Sequence, residues 1–285
     1  MNHQKVRLAA GLYFVATPIG TARDITLRAL DVLASAEVIA AEDTRSLRRL
    51  MEIHGVPLEG RRIFAYHDHS GENARAKLLE ALAEGKSVAY ASEAGMPLIA
   101  DPGYGLSKAA AEAGHTVTCA PGATAGITAL TLAGLPTDAF FFGGFLPNAT
   151  AARKKRLEEL KEIPGTLIFY ESPKRIAASL ADMAEVLGPR SAAMCRELTK
   201  KFEEVRRAPL PELAAQLAED GVKGEIVVLI DRNRAEAASA GDVESDLRAA
   251  LKDNRVKDAA DIVAKLHDLP RRKVYQMALD LAKED

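Results

Sequence analysis

Six short loops in this chain have the composition of places where small molecules are held. They are "ATPIG" (Ala16 to Gly20), "AEDTR" (Ala41 to Arg45), "YHDHS" (Tyr66 to Ser70), "SEAGMPLIADPG" (Ser92 to Gly103), "PGATAG" (Pro121 to Gly126) and "FYESPKR" (Phe169 to Arg175). Each follows a run that reads as a strand, and ligands of open α/β sheets lie beyond the carboxyl ends of strands. Glycine, alanine and proline there let a ligand touch main-chain amides and carbonyls, so the loops together point to a compact ligand clasped by backbone. Fingerprints of other chemistries are missing. There is no G-x-x-x-x-G-K-[ST] phosphate loop, no G-x-G-x-x-G after the first strand and no G-x-S-x-G elbow. His67 and His69 offer two imidazoles without a third ligand, so loop hydrogen bonding stands beside the metal reading and no metal site is expected.

The elements that must position these loops alternate. Strand-like runs cover Leu12 to Ala16, Val38 to Ala41, Ile63 to His67, Ser87 to Ala91 and Thr116 to Cys119. Helical patterns lie between them, one opening at Thr26 as an N-cap and one covering Glu72 to Glu84. Such alternation predicts a mostly parallel sheet covered by helices. A second α/β series has strands at Asp138 to Phe145, Gly165 to Glu171, Arg190 to Leu198 and Gly224 to Ile230. Its clearest helix follows "FYE": Ser172 is expected to cap it, Pro173 to take the first helical position and Gly188 to end it. Arg232 to Asp242 reads as a linker, and helical patterns at Val243 to Lys252, Val256 to Leu266 and Pro270 to Ala282 predict a three-helix appendage. The expected division is residues 1–121, 122–232 and 242–285.

The whole chain sets limits. Its 285 residues are 48% hydrophobic and 27% charged with a net charge of −2, which fits a globular protein and not a globally basic nucleic-acid binder. No apolar run is long enough to span a membrane, and "GLYFVATPIG" reads as a first strand rather than a signal-peptide core, so a cytoplasmic location is expected. Cys119 and Cys195 sit in apolar contexts as buried, inert thiols. Basic clusters at Arg61–Arg62, Arg153 to Arg156, Arg206–Arg207 and Arg271 to Lys273 are solvated surface or phosphate contacts.

The order of the loops carries a resemblance. "LYFVATPIGTARDITLRAL", "IAAEDTRSLRRL", "YHDHSGEN", "SEAGMPLIADPGYGL", "PGATAGITALTLAGLPTDAFFFGGFLP", "FYESPKRI", "RELTKKFEE" and "GEIVVLI" together resemble the ribosomal RNA small subunit methyltransferase I family, over about residues 10 to 231. The tail "VKDAADIVAKLHDLPRRKVYQMAL" is similar to that family's C-terminal helical piece. The resemblance implies two α/β domains of the tetrapyrrole-methylase type with a cleft between them, plus a small helical appendage. It implies S-adenosyl-L-methionine as cofactor, 2′-O-methylation of a cytidine ribose in the decoding region of 16S rRNA, the small ribosomal subunit as partner, and a homodimer. The chain departs from the family pattern at Thr21–Ala22 where N-L is usual, at Glu93 for aspartate, at Met96 for threonine and at Lys174 for histidine.

What the resemblance implies for the site can be given by residue. Pro18 and Gly20 would lie at the floor of the cofactor cleft. Ser92, Ala94, Gly95 and Leu98 would approach the cofactor through backbone, with Asp101 close by. Thr124 and Ala125, at a helix start, would offer amides to a carboxylate or hydroxyl. Phe169 and Tyr170 would line the adenine side, although Phe169 reads equally as a buried strand aromatic. A 2′-hydroxyl is a poor nucleophile, so alignment should supply much of the acceleration, roughly 7–11 kcal/mol in well-oriented systems. The general base is open among Glu93, His67, Glu171 and Lys174. Asp43 and Arg45 either bind substrate or brace a loop, and Glu197 with Lys200 reads as a structural ion pair. Rival readings are methylation of a tetrapyrrole carbon on the same fold and a non-catalytic ribosome- or RNA-binding module.

Overall fold

Residues Gly11 to Val15 form β1, a strand with four of its five residues buried, and everything that positions the candidate site is hung from it. A computed structural model describes residues 2–67, 71–233, 240–267 and 269–282. The chain falls into two units, one ending at Arg232 and one beginning at Asn233. After β1 the first unit runs α1 (Leu27–Ser35), β2 (Val38–Ala41), α2 (Thr44–Ile53), β3 (Ile63–Ala65), α3 (Gly71–Ala83), β4 (Ser87–Ala91), α4 (Tyr104–Glu112) and β5 (Val117–Ala120). It continues α5 (Ala125–Ala133), β6 (Phe140–Phe145), α6 (Thr150–Leu160), β7 (Thr166–Glu171), α7 (Ile176–Leu187), β8 (Ser191–Arg196), β9 (Glu204–Pro209), α8 (Leu210–Asp220) and β10 (Ile226–Ile230).

The first sheet has the order β3-β2-β4-β1-β5, and every pairing in it is parallel. A parallel sheet is covered on both faces, which is why β4 is buried at all five positions. On one face Leu30, Leu33, Leu47 and Met51 of α1 and α2 pack on Val15, Ile39 and Ala89. On the other, Leu78, Leu82 and Leu106 of α3 and α4 pack on Leu12, Phe14 and Tyr90. As its sequence suggests, Thr26 caps α1, its hydroxyl accepting the Ala29 N–H at 3.2 Å.

The second sheet has the order β6-β7-β10-β8-β9; β6 and β7 are parallel and the other pairings antiparallel. One face is filled by Leu157, Leu180, Met183, Leu213 and Leu217 of α6, α7 and α8. The opposite face takes Ala129, Leu130 and Ala133 of α5, together with Ile19 from the loop after β1. Ile19 therefore ties the first sheet's site loop into the second sheet's core.

Four local features differ from what the sequence suggests. Strand β9 is not among the strands expected from sequence, because "EVRRAP" carries Glu204, Arg206 and Arg207 and no apolar run. As the edge of its sheet it needs only one partner, and its charged residues stay half-exposed at Glu204 and Arg206 and exposed at Arg207. Helix α7 starts at Ile176 rather than at Pro173. Residues 172–175 form a turn instead, in which the Ser172 carbonyl accepts the Arg175 and Ile176 N–H groups at 3.0 Å. The cause is Glu171, whose carboxylate takes the Ser172 N–H at 2.8 Å and the Arg175 guanidinium at 3.1 Å, fixing the turn ahead of the helix. Arg153 is no surface residue: it is buried, with Nε 2.6 Å from Asp182 Oδ2 and Nη1 3.0 Å from the Asn148 carbonyl. Cys195 is buried as expected, whereas Cys119 is only half-buried.

The second unit has helices α9 (Ala240–Asp253), α10 (Val256–Leu266) and α11 (Arg271–Leu281) around Val243, Leu247, Ala260, Val263, Val274 and Ala278. His267 lies 2.7 Å from Asp246, and Arg271 pairs with Asp261, joining α11 to α10. Of the expected linker, residues 234–239 lie outside the described residues.

Candidate active site

The loops after β1 and β4 meet because their strands are neighbours. Thr17 and Gly95 exchange both backbone hydrogen bonds at 3.0 Å, an isolated antiparallel bridge at the carboxyl edge of the parallel sheet. Ser92 tightens the turn, its hydroxyl donating to the Gly95 carbonyl at 2.6 Å while the Thr17 hydroxyl lies 3.3 Å from the Ser92 carbonyl. Gly95 has φ +82°, in the left-handed region, and a Cβ there would stand 3.2 Å from Ile19 and 3.3 Å from the Ala123 carbonyl. The bridge has a cavity on each side.

The first cavity, of about 330 Å³, draws on both sheets. From the first come Ile19, Ala94, Gly95, Met96, Ile99, Ala100 and Asp101; Thr124 and Ala125 come from the residue before α5 and its start. The second sheet supplies Phe145, Tyr170, Glu171, Ile226 and Val227, with Ser172, Pro173, Gly224 and Glu225 from its loops. Thr124 precedes α5 without a side-chain cap, so the amides of that helix start are left to other partners. One of them, Gly126 N–H, donates to the Tyr170 hydroxyl at 3.2 Å, and Phe142 and Phe145 meet the Tyr170 ring edge-on at 4.9 and 5.6 Å. Burial raises the Tyr170 phenol above its ordinary pKa.

Asp101 is the charged group in this wall with no hydrogen bond or ion pair among the described residues. Burial, then the nearby carboxylates of Glu42 and Glu93, push its pKa up to about 7. Glu171 is the opposite case. Its side chain is buried and saturated by the Ser172 N–H, the Ser179 hydroxyl at 2.5 Å and Arg175. Glu225 is held by Lys200 at 2.9 Å, and Lys200 also bonds Glu197 at 3.0 Å, so that pair is structural as its sequence suggests.

The second cavity, of about 580 Å³, is lined by Thr17, Pro18, Gly20, Ala22, Ser92 and Glu93 and by a face of α2 that runs from Asp43 at its cap to Ile53. Asp43 caps that helix, accepting the Arg45 and Ser46 N–H groups at 2.7 and 3.2 Å. The Arg45 guanidinium and these amides hold the Asp43 carboxyl below its ordinary pKa. Asp43 therefore braces the loop, and the Arg45 side chain, mostly exposed, is left facing the cavity with Arg49. Burial, with Glu42 and Asp43, raises the Glu93 carboxyl. The Glu93 N–H donates to Glu42 at 3.0 Å.

The structure thus divides the residues singled out in the sequence. Ala94, Gly95, Asp101, Thr124, Ala125, Tyr170 and Glu171 come together around the first cavity; Pro18, Gly20, Ser92 and Glu93 line the second. Four lie elsewhere. Leu98 packs into the core beneath β4. Phe169 is wholly buried on the helix-covered face of β7, because neighbours along a strand point to opposite faces and Tyr170 takes the cavity side. Its ring fills the space a Cβ at Gly143 would occupy, 2.4 Å away. His67 and Lys174 are exposed and line neither cavity, and His69 lies outside the described residues. Sequence reasoning missed Ile19, Ile99, Phe145 and Val227 as walls, which look like ordinary core or loop residues.

Residues 11–214 match the profile of the Tetrapyrrole (Corrin/Porphyrin) Methylases, and residues 237–282 that of the RsmI C-terminal HTH domain. A relative from Mesorhizobium japonicum, named ribosomal RNA small subunit methyltransferase I, is 46% identical over 276 residues, covering 96% of this chain and 93% of its own. The chain belongs to the ribosomal RNA small subunit methyltransferase I family. Relatives of that name from Vibrio cholerae and Escherichia coli O157:H7 are 44% and 41% identical, covering 94% and 98% of this chain and the same shares of their own. Among solved structures, diphthine synthase superposes with a TM-score of 0.61 at 17% identity, over 77% of this chain and 89% of its own. The methyltransferase CobJ does so with 0.58 at 21% identity, over 79% and 95%. These two likenesses establish the fold. In this methyltransferase the cavity beside the Thr17–Gly95 bridge is lined from both sheets and by the start of α5.

Proposed function

We propose that this methyltransferase transfers a methyl group from S-adenosyl-L-methionine to the 2′-hydroxyl of a cytidine ribose in the decoding region of 16S rRNA. The observation that carries the reading is the first cavity, walled by main chain at Ala94, Gly95 and Ala125 and by apolar side chains from both sheets, in a chain whose near-full-length relatives bear the name of a ribosomal RNA methyltransferase.

The cavity's chemistry suits that donor, which when bound supplies an electrophilic methyl group on a sulfonium. Uncapped amides at the start of α5 suit its carboxylate. Ile19, Met96, Ile99, Phe145 and Val227 suit its adenosyl group. The second cavity, with Arg45 and Arg49 at its rim, suits phosphates that flank the acceptor nucleotide, whose ribose has to meet the donor in the first cavity. On α11, Arg272 lines one cleft with Arg271, Tyr275 and Lys257 of α10 and another with Lys273 and Asp280, a surface whose cationic and aromatic groups suit phosphates and bases. A homodimer belongs to the same reading: β6 is an edge strand presenting exposed Phe140 and Phe145. So does the division of the chain at residues 1–121, 122–232 and 242–285.

The test is methyl transfer to small ribosomal subunits, with the product mapped by mass spectrometry. A methyl group on a cytidine ribose is expected. Modification of tetrapyrroles with none of RNA would overturn the acceptor, and failure to bind S-adenosyl-L-methionine in calorimetry would overturn the enzyme.

A further inference from the structure

We infer that Asp101 is the general base that takes the proton from the acceptor hydroxyl. The inference rests on the reading above, that the acceptor is a hydroxyl, and it selects a residue outside the four bases that the sequence left open.

The case begins with what the other groups are doing. Glu171 has its oxygens committed to Ser172, Ser179 and Arg175. Glu225 is paired with Lys200. Tyr170 is raised above its ordinary pKa and stays a phenol at neutral pH. Lys174 and His67 do not reach the cavity, and Glu93 lies across the bridge in the other one. Asp101 remains as the uncommitted carboxyl in the donor-sized cavity.

It is also aimed. Leu98 and Ala100 both hold left-handed backbone, at φ +70° and +61°, a conformation that costs an L-residue roughly 1–2 kcal/mol. The strain is held from both sides. Leu98 is anchored in the core, and the Pro102 carbonyl accepts the hydroxyl of the fully buried Tyr90 at 3.3 Å. A strained turn pinned before and after one residue points to function at that residue.

The surroundings make the carboxylate a stronger base than an ordinary aspartate. The ionisable groups that face it are Glu42 after β2, Glu93 after β4 and Tyr170 on β7, with Glu225 before β10 in the same cavity wall; none is a cation. Arg45 acts on Glu93 rather than on Asp101. A carboxyl with a pKa of about 7 is partly ionised at neutral pH and holds a proton firmly once it has one, the compromise that general-base catalysis favours. In the step, the O–H bond of the ribose breaks toward an Asp101 oxygen as that ribose oxygen bonds carbon. The C–S pair stays on sulfur, which ends neutral, and Asp101 later returns its proton to water.

The test is single-turnover methyl transfer with saturating donor, measured from about pH 5 to about pH 9 in wild type, Asp101→Asn and Asp101→Glu. The wild-type rate should rise through a single limb centred below the donor-free value of about 7, because the cationic donor in the same cavity lowers the Asp101 carboxyl. Asp101→Asn should lose on the order of 10²–10⁴-fold and the limb with it even when the donor concentration is raised until calorimetry shows the variant saturated. Asp101→Glu should recover part of the rate on a displaced limb. An asparagine variant that keeps the limb, or whose deficit is explained by weak donor binding, overturns the assignment. Isotope-edited infrared titration reads the unmodified protein directly: the absence of an aspartic carboxyl protonating near pH 7 also overturns it. Mapping the product separately reports on the acceptor, since methylation at a base atom sinks the ribose reading while the pH limb still judges Asp101.

Discussion

Thr17 and Gly95 lie 78 residues apart and hold each other by two 3.0 Å backbone hydrogen bonds, forming the wall between the two cavities. Gly95→Ala attacks that wall, adding a Cβ 3.2 Å from Ile19 at a φ of +82°. We expect a drop in melting temperature and a loss of S-adenosyl-L-methionine affinity of about tenfold or more, which corresponds to about 1.4 kcal/mol. Gly114→Ala is the control, because its φ of +78° carries the same backbone cost with open space around it. Calorimetry on both variants decides the point, and equal donor binding by Gly95→Ala and wild type would remove the bridge from the donor site.

Arg153 and Asp182 form an ion pair whose side chains are 4% and 10% exposed. Removing one partner strands the other charge in the core, which typically costs about 3–5 kcal/mol. Arg153→Ala should therefore lower the urea midpoint steeply. Arg156→Ala, which loses a half-exposed pair with Glu159, should change stability by less than about 1 kcal/mol. Similar denaturation curves for the two variants would contradict the burial of Arg153.

These two cases show where sequence is informative. The alternation of apolar runs with helical patterns predicts the parallel sheet, and small residues after β1, β4 and β5 mark the loops that converge. Both follow from local composition. Arg153 and Arg156 look alike in "RKKR", and only the packing of α6 on α7 separates them. Phe169 and Tyr170 are likewise neighbours whose faces are set by strand register. The carboxylates are less legible still. Glu171 and Asp101 are both acids in strand-end loops to a reader of sequence, yet one is saturated by its own turn and the other is left bare in a wall.

The raised pKa of Asp101 links its titration to folding. Its folded value, about 7, lies above the usual 3.8 of an exposed aspartate, so the folded state binds the proton more tightly. The stabilisation is fully present below about pH 3.8 and is lost as pH rises through about 7. Subtracting wild-type stability from that of Asp101→Asn should give a difference that grows in favour of the variant between those limits and is flat above. Chemical denaturation across that range, without donor, checks it; a constant difference would mean that Asp101 titrates as an exposed residue.

On α11, Arg271 lines a cleft with Arg272 but is paired with Asp261, whereas Arg272 and Lys273 have no ion pair among the described residues. Reversing both, Arg272→Glu with Lys273→Glu, should weaken RNA binding and flatten the salt dependence of log Kd by about 2, near one unit for each phosphate left unneutralised. Filter-binding titrations over a range of salt concentrations measure the slope. An unchanged slope would take this face of α11 out of the RNA interface.

At Ala94, Gly95 and Ala125 the donor-sized cavity presents peptide groups and little else. Peptide groups are not encoded residue by residue, so few single substitutions delete them. An inhibitor designed to bond those amides and carbonyls would leave the protein few simple routes to resistance, since the replacements that spoil its fit add bulk where, on the proposed reading, the donor also sits.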